Sequence, residues 1–259
     1  MKTLSIINLK GGVGKTCTAV NMAYELHRRG LKVLLIDNDK QGNLSKAYGA
    51  YDAEEMAAAS KLLSGEWHEA KELIQKTDYE NIDIIAANMS LMGATWNLTA
   101  SDEEKQLEKF KKLLAAQMNG KTIQETYDYC IIDNPPDIGL NVVNALVISD
   151  EVIVPVKIDE WALEGLDILK DQINEVKAYN LGIKLSGVLV TIYQNTDGEA
   201  AGKEWLEKQN DIVVLGKVRY SKKVAESTFL FKPIYEYSPT CSTAQDYKKF
   251  VTMYTGIER

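Results

Sequence analysis

The chain has 259 residues and a mass of 28.9 kDa, with 45% hydrophobic and 26% charged residues, as expected of a globular protein with one sizeable core. Its formal net charge of −7 excludes a protein coated in positive charge, so any nucleic-acid contact has to come from a local patch. Cys17, Cys130 and Cys241 are far apart and form no C-x-x-C pair, which argues against a metal framework and fits a reduced, cytoplasmic protein. No apolar run approaches the roughly 20 residues that span a bilayer, and no signal peptide follows Met1.

In chain order, the first predicted strand is the apolar run Leu4–Leu9, followed by a helix over Thr16–Arg29 and a second strand over Lys32–Asp37. A polar, helix-rich region at about 50–118 reads as lying beside the sheet, with a strand at Ile82–Ala87 inside it. Ser101 and Glu104 read as a capping box opening a helix over Asp102–Met118. Strands follow at Tyr127–Asp133, Glu151–Val156, Leu185–Ile192 and Asp211–Val218, with a helix over Leu163–Tyr179. Ser242 and Gln245 read as the start of a last helix, with Tyr247, Phe250, Val251 and Tyr254 forming an apolar stripe that packs on the domain. Near-continuous apolar strands alternating with helices predict a doubly wound α/β fold, a mainly parallel sheet flanked by helices, as one domain over residues 1–259.

The segment "INLKGGVGKTCTAV" (Ile7–Val20) joins the first strand to the first helix. A phosphate-binding loop reads G-x-x-x-x-G-K-[ST]; Gly14, Lys15 and Thr16 fit its end, but Leu9 stands at the opening glycine. Amides of Gly11, Gly12, Val13, Gly14, Lys15 and Thr16, with Cys17 just beyond, are the candidate phosphate cradle, because glycines admit close approach and the helix start adds its dipole. Lys15 would reach the β- and γ-phosphates, and the Thr16 hydroxyl would bind Mg²⁺. Lys10 is either a solvated lysine beside the loop or a group that neutralises charge on a nucleotide held by a second subunit. Asp37 and Asp39 close the second strand and supply one carboxylate for the metal and one for the attacking water. Asp133 ends a buried strand, where a carboxylate holds Mg²⁺ through water, and Pro135 and Pro136 stiffen the segment that follows.

"KGGVGKT" resembles the deviant Walker A signature of the ParA/MinD family of P-loop ATPases, and "NLKGGVGKT" is similar to its plasmid and chromosome-partitioning branch. The resemblance covers nearly the whole chain. It implies Mg²⁺ and ATP as cofactors, a nucleotide-sandwich homodimer crossed by Lys10, a water-activating Asp39, and Asp37 near the metal. It also implies non-specific DNA binding in the ATP state, a ParB-like adaptor that stimulates slow hydrolysis, and a cytoplasmic protein associated with the nucleoid. Departures from the family pattern are Lys40 for a proline, Asn134 for a commoner Thr or Ser, and Val218 for the proline that borders the adenine, next to Arg219. Pro155, Glu160, Ala162, Glu164 and Gly165 resemble a stretch assigned to the dimer face. Lys203, Lys208, Lys217, Arg219, Lys222 and Lys223 are the candidate DNA contacts, against only Glu204, Glu207 and Asp211 in the same stretch. The arginine common in the family after the strand matching "GVLVTIY" is missing from Gln194–Gly202. With the chain opening on its first strand, an N-terminal DNA-reading extension is not expected. The alternative is a MinD-like or cargo-positioning ATPase acting on a membrane or a protein assembly. Membrane binding, which would use a basic and apolar amphipathic last helix, is the less favoured, since the apolar stripe of that helix reads as packing on the domain.

Overall fold

Runs such as "VLLID" have no polar face, so they are stable only where both sides are covered, in the middle of a parallel sheet. The computed structural model describes residues 1–100, 102, 106–159 and 162–258. Its strands are β1 (Lys2–Ile6), β2 (Val33–Asp37), β3 (Gln75–Lys76), β4 (Ile82–Ile85), β5 (Gln117–Met118), β6 (Lys121–Thr122), β7 (Tyr129–Asp133), β8 (Glu151–Val156), β9 (Lys184–Tyr193) and β10 (Val214–Arg219). The helices are α1 (Lys15–His27), α2 (Asn43–Ala47), α3 (Ala58–Ser64), α4 (Ser90–Thr99), α5 (Lys109–Ala115), α6 (Ile123–Thr126), α7 (Leu140–Ile148), α8 (Ala162–Val176), α9 (Asp197–Glu207), α10 (Lys222–Phe229), α11 (Ile234–Tyr237) and α12 (Ser242–Thr255).

The main sheet runs β10-β9-β8-β1-β7-β2-β4-β3, and every neighbouring pair is parallel except β3 with β4. All seven strands expected from the sequence are present, in the doubly wound arrangement. Side chains alternate across the sheet: Val33 and Leu35 join a core under α1 and α12, whereas Leu34 and Ile36 join one formed with α3, α4 and α5. A third cluster packs α8 on β8 and β9 through Leu166, Ile173, Val154 and Val190. The stripe on α12 is buried as expected: Tyr247, Phe250 and Val251 lie in the first core, with Tyr254 partly buried against it.

Three expectations change. The region at 50–118 is not only beside the sheet, because β4 pairs with β2 and β3 closes that edge. The helix expected to reach Met118 stops at Ala115, since Asn119 (φ 53°) and Gly120 (φ 79°) make the tight turn of a small hairpin, β5–β6. The capping box at Ser101 and Glu104 lies outside the described residues. The last helix is capped one residue earlier than expected, by the Cys241 sulfur accepting from the Ala244 amide. Among the described residues no helix is long and apolar enough to cross a membrane.

Strand register sets up the site. Ile6 and Asp37 both pair with Asp133, so the ends of β1, β7 and β2 are level at the carboxyl edge of the sheet. The chain leaves β1 there and crosses to β2 on one side, while β8 lies on the other. Open α/β sheets bind ligands at such a switch point.

Candidate nucleotide-binding site

Gly12 (φ 71°) and Gly14 (φ 87°) adopt left-handed backbone that folds the loop after β1 into a cradle. Gly14 opens α1 without a capping side chain, which leaves the helix's first amides directed at the cradle. Asn8 fixes the start of the loop: its side-chain amide donates to the Pro155 carbonyl at 2.8 Å, and its Oδ1 accepts from the Lys10 amide at 2.9 Å. Thr191 fixes the far side by donating to the Val13 carbonyl at 2.7 Å. Lys15 is nearly buried, and its ammonium donates to the carbonyls of Asn8 at 3.0 Å and Lys10 at 2.9 Å. Burial pulls its pKa below the usual lysine range, opposed by the charges of Asp133, Asp39 and Asp137.

The loop floors a cleft of about 480 Å³. Its walls include Asp39, Pro136, Val218, Arg219, Val224 and Tyr247. The half-buried Cys17 turns its sulfur towards Asn21, whose amide donates to it at 3.4 Å, and burial pushes the thiol up. The volume and the apolar wall beside a ring of loop amides suit a nucleotide-sized ligand.

Beside Thr16, at the end of β7, the Asp133 carboxyl is 1% exposed, and neither oxygen has a hydrogen-bond partner. Burial, and then the neighbouring Asp37, hold its pKa well above the carboxylate range; the Thr16 hydroxyl acts in the opposite direction without closing a bond. A buried carboxylate without donors is costly unless something positive completes it. No cluster of three or more His, Cys, Asp or Glu able to cage an ion exists among the described residues. One orphaned carboxylate beside a threonine hydroxyl and a phosphate cradle fits Mg²⁺, which keeps water and phosphate ligands and takes few from protein.

Asp37, expected near the metal, carries a structural load as well. Its Oδ2 accepts from the Ser45 amide at 2.8 Å and hydroxyl at 2.6 Å, and its Oδ1 from the Asp39 amide at 3.2 Å. It is therefore committed to anchoring the segment that carries Asp39. Burial still pushes its carboxyl up to about 7. Asp39 lines the cleft and accepts from the Gln41 amide at 2.9 Å. Gly42 (φ 63°) closes this turn, where a Cβ would lie 2.6 Å from the Tyr51 ring.

Residues 1–185 match the family described as an AAA domain. The chain is similar to the chromosome-partitioning ATPase Soj of Treponema pallidum (strain Nichols), at 32% identity over 251 residues, 96% of this chain and 94% of that protein. The chain belongs to the ParA/MinD family of P-loop ATPases, on its ParA (Soj-like) branch. Among solved structures, an ATP complex of a McdA variant from Cyanothece has a TM-score of 0.84 at 21% identity, covering 100% of this chain and 98% of that one. MinD of Pyrococcus horikoshii OT3 complexed with Mg-ADP has a TM-score of 0.77 at 22% identity, covering 98% and 95%. At such identities the likeness is one of fold.

Other residues singled out by the ParA-type pattern are placed as follows. Lys10 is ion-paired with Asp159 on the segment after β8. Pro155 lies in β8, and α8 begins at Ala162 and contains Gly165; Glu160 lies outside the described residues. Arg219 reaches the cleft wall but is held by Asp246 through two hydrogen bonds of 2.8 Å. The candidate DNA contacts are mostly paired too: Lys203 with Glu207, Lys208 with Glu204 at 2.7 Å and Lys223 with Glu226 at 2.8 Å. Lys217 lies over the Tyr193 ring, 4.6 Å from its centroid, and Lys222 opens α10. Folding thus adds Glu226 and Asp246 to the acidic residues counted in that stretch, and the local positive surplus shrinks. Sequence reasoning missed Asn8, Ser45 and Thr191. Ser45 is the one with a local signal, eight residues beyond the carboxylate it holds.

Proposed function

We infer that this ParA-type protein is a Mg²⁺-dependent ATPase, one P-loop domain over 1–259, that dimerises around two ATP molecules. In the ATP state it binds DNA without sequence preference and drives partitioning of plasmid or chromosomal DNA with a ParB-like partner. The observation that carries this reading is the orphaned, buried Asp133 carboxylate beside Thr16 at the mouth of a glycine cradle that already holds Lys15. The ATP and Mg-ADP complexes of the two fold neighbours support ATP and Mg²⁺ as ligands.

Amides of Gly11 to Thr16 and the first turn of α1 bind the phosphates, with Cys17 beside them, and Val218, Arg219 and Val224 border the base. Lys15 exchanges the Asn8 and Lys10 carbonyls for phosphate oxygens. Thr16 and Asp133 hold the metal, with Asp37 anchoring the segment behind them. Mg²⁺ supplies neutralisation of phosphate charge as the terminal phosphoryl group leaves. Asp39, on the cleft side of the same segment, orients and deprotonates water. Lys10 leaves Asp159 and reaches the nucleotide of the second subunit. Hydrolysis is slow until a partner completes this arrangement. The six basic residues from Lys203 to Lys223 supply the DNA surface; the ion pairs of Lys208 and Lys223 are exposed and weak, and phosphates can displace them. The protein acts in the cytoplasm, on the nucleoid.

Sedimentation of the protein with ATP, with ADP and without nucleotide, each with Mg²⁺, tests this reading. A dimer that forms with ATP and not with ADP supports it. A monomer under all three conditions, with ATP demonstrably bound, sinks the sandwich and the role given to Lys10.

A further inference from the structure

The segments carrying Asp39 and Asp133 are joined by a buried chain of three asparagines. Asn38, between Asp37 and Asp39, donates from its side-chain amide to Asn134 Oδ1 at 2.8 Å and to the Asn141 carbonyl at 3.1 Å. Asn141, at the start of α7, donates back to the Asn38 carbonyl at 3.0 Å. Asn134, next to Asp133, donates to the Ile6 carbonyl at 3.2 Å and to Ser5 Oγ at 3.3 Å, on the strand that feeds the phosphate cradle. The backbone repeats the tie, since the Asn38 amide donates to the Asp133 carbonyl at 2.9 Å. All three side chains are buried, between 1% and 6% exposed.

An amide both donates and accepts, so each link in such a chain orients the next. In a low-dielectric interior the links strengthen one another and tolerate no half-made state. A serine or threonine at 134 is too short to span from the Ile6 carbonyl to Asn38. An apolar residue at 38 would leave Asn134 Oδ1 without the donor from Asn38 and take from the Asn141 carbonyl the donor it has besides its own helix. The pair of asparagines therefore forms a connection that either residue alone does not make.

We propose that Asn38, Asn134 and Asn141 are positioning residues that latch the two segments together, so that Asp39 follows any movement of Asp133 and the cradle. The latch deepens the ATPase reading and rests on it for its effect on turnover, but the latch itself is measurable without nucleotide. Asn38 and Asn134 do not reach the cleft; they act through Asp39 and Asp133.

The test uses the full chain with Asn134→Ser, Asn38→Ser and the double variant, with Asn141→Ser as the substitute should Asn38→Ser not fold. Hydrogen exchange without nucleotide is the first readout. Either single substitution speeds exchange about tenfold in both segments, 37–43 and 133–141, and the double variant adds little. Acceleration confined to the segment that carries the substitution, or effects that add fully, overturns the latch. ATP turnover is the second readout. Each single substitution lowers kcat about tenfold with nucleotide affinity within threefold, and the double variant matches the singles. Equal losses in affinity and kcat would mark a merely structural role and also overturn it. A wild-type protein that binds ATP without hydrolysing it would refute the ATPase reading, leaving the exchange result to decide the latch.

Discussion

Replacing Asp37 by asparagine should change how stability depends on pH, in a direction set by its burial and by about a few kcal/mol. The Asp37 carboxyl is fully buried, and burial lifts it from 3.8 to about 7 against the hydrogen bonds from Ser45 and Asp39. Because the folded value lies above the unfolded one, the folded chain holds this proton over a range in which the unfolded chain has lost it. The stability it confers is complete below about pH 3.8 and drains away as pH rises to about 7, after which it is flat. A rise of roughly three pH units at 1.36 kcal/mol each corresponds to about 4 kcal/mol in all, of which about 3 kcal/mol falls between pH 5 and 8. Asp133 titrates in the same direction, and part of its shift comes from Asp37, so removing Asp37 also relaxes Asp133. Urea unfolding in EDTA without nucleotide, at steps from pH 5 to 8, compares the wild type with Asp37→Asn. The wild type should lose about 3 kcal/mol more than the variant across that range. Parallel curves, within about 0.5 kcal/mol, would mean that Asp37 is already ionised in the fold and would refute the reasoning.

Lys15→Ala removes the ammonium that waits on the Asn8 and Lys10 carbonyls and should weaken nucleotide binding about a hundredfold or more, read by titration with a fluorescent ATP analogue. Asp39→Ala should keep the ATP-bound dimer while lowering turnover by about 10² or more; normal hydrolysis would show that another group handles the water. Asp159→Asn frees Lys10 from its cis partner, and because that pair is partly exposed the ATP-dependent dimer should tighten by no more than about fivefold, measured by sedimentation. Phe250→Ala, in the core between α12 and the sheet, should cost about 3–5 kcal/mol in urea unfolding, and a loss under about 1 kcal/mol would contradict the packing described for α12.

What could be read from the sequence was what is local. Strands such as Val33–Asp37 and Glu151–Val156 are covered on both faces, so their apolar runs are continuous and stand out. The phosphate cradle is a contiguous stretch whose glycines announce its backbone. What could not be read was made by contacts across the chain. Asn8 works through Pro155, Val13 through Thr191, Arg219 through Asp246 and Asn38 through Asn134, and no spacing within a motif encodes such pairs. The basic stretch from Lys203 to Lys223 looked more positive than it is because Glu226 and Asp246 lie beyond it in sequence and against it in space. The hairpin turn at Asn119-Gly120 was legible in principle, since that dipeptide favours two successive left-handed residues.

The central claim, an ATP-controlled grip on DNA, is tested most directly by binding to random-sequence duplex DNA with ATP, with ADP and without nucleotide across a salt series. The account predicts binding that requires ATP and falls steeply with salt, with a log–log slope of about −0.9 for each phosphate neutralised. Failure to bind at low salt while ATP still drives dimerisation, or binding equally strong without nucleotide, would contradict it.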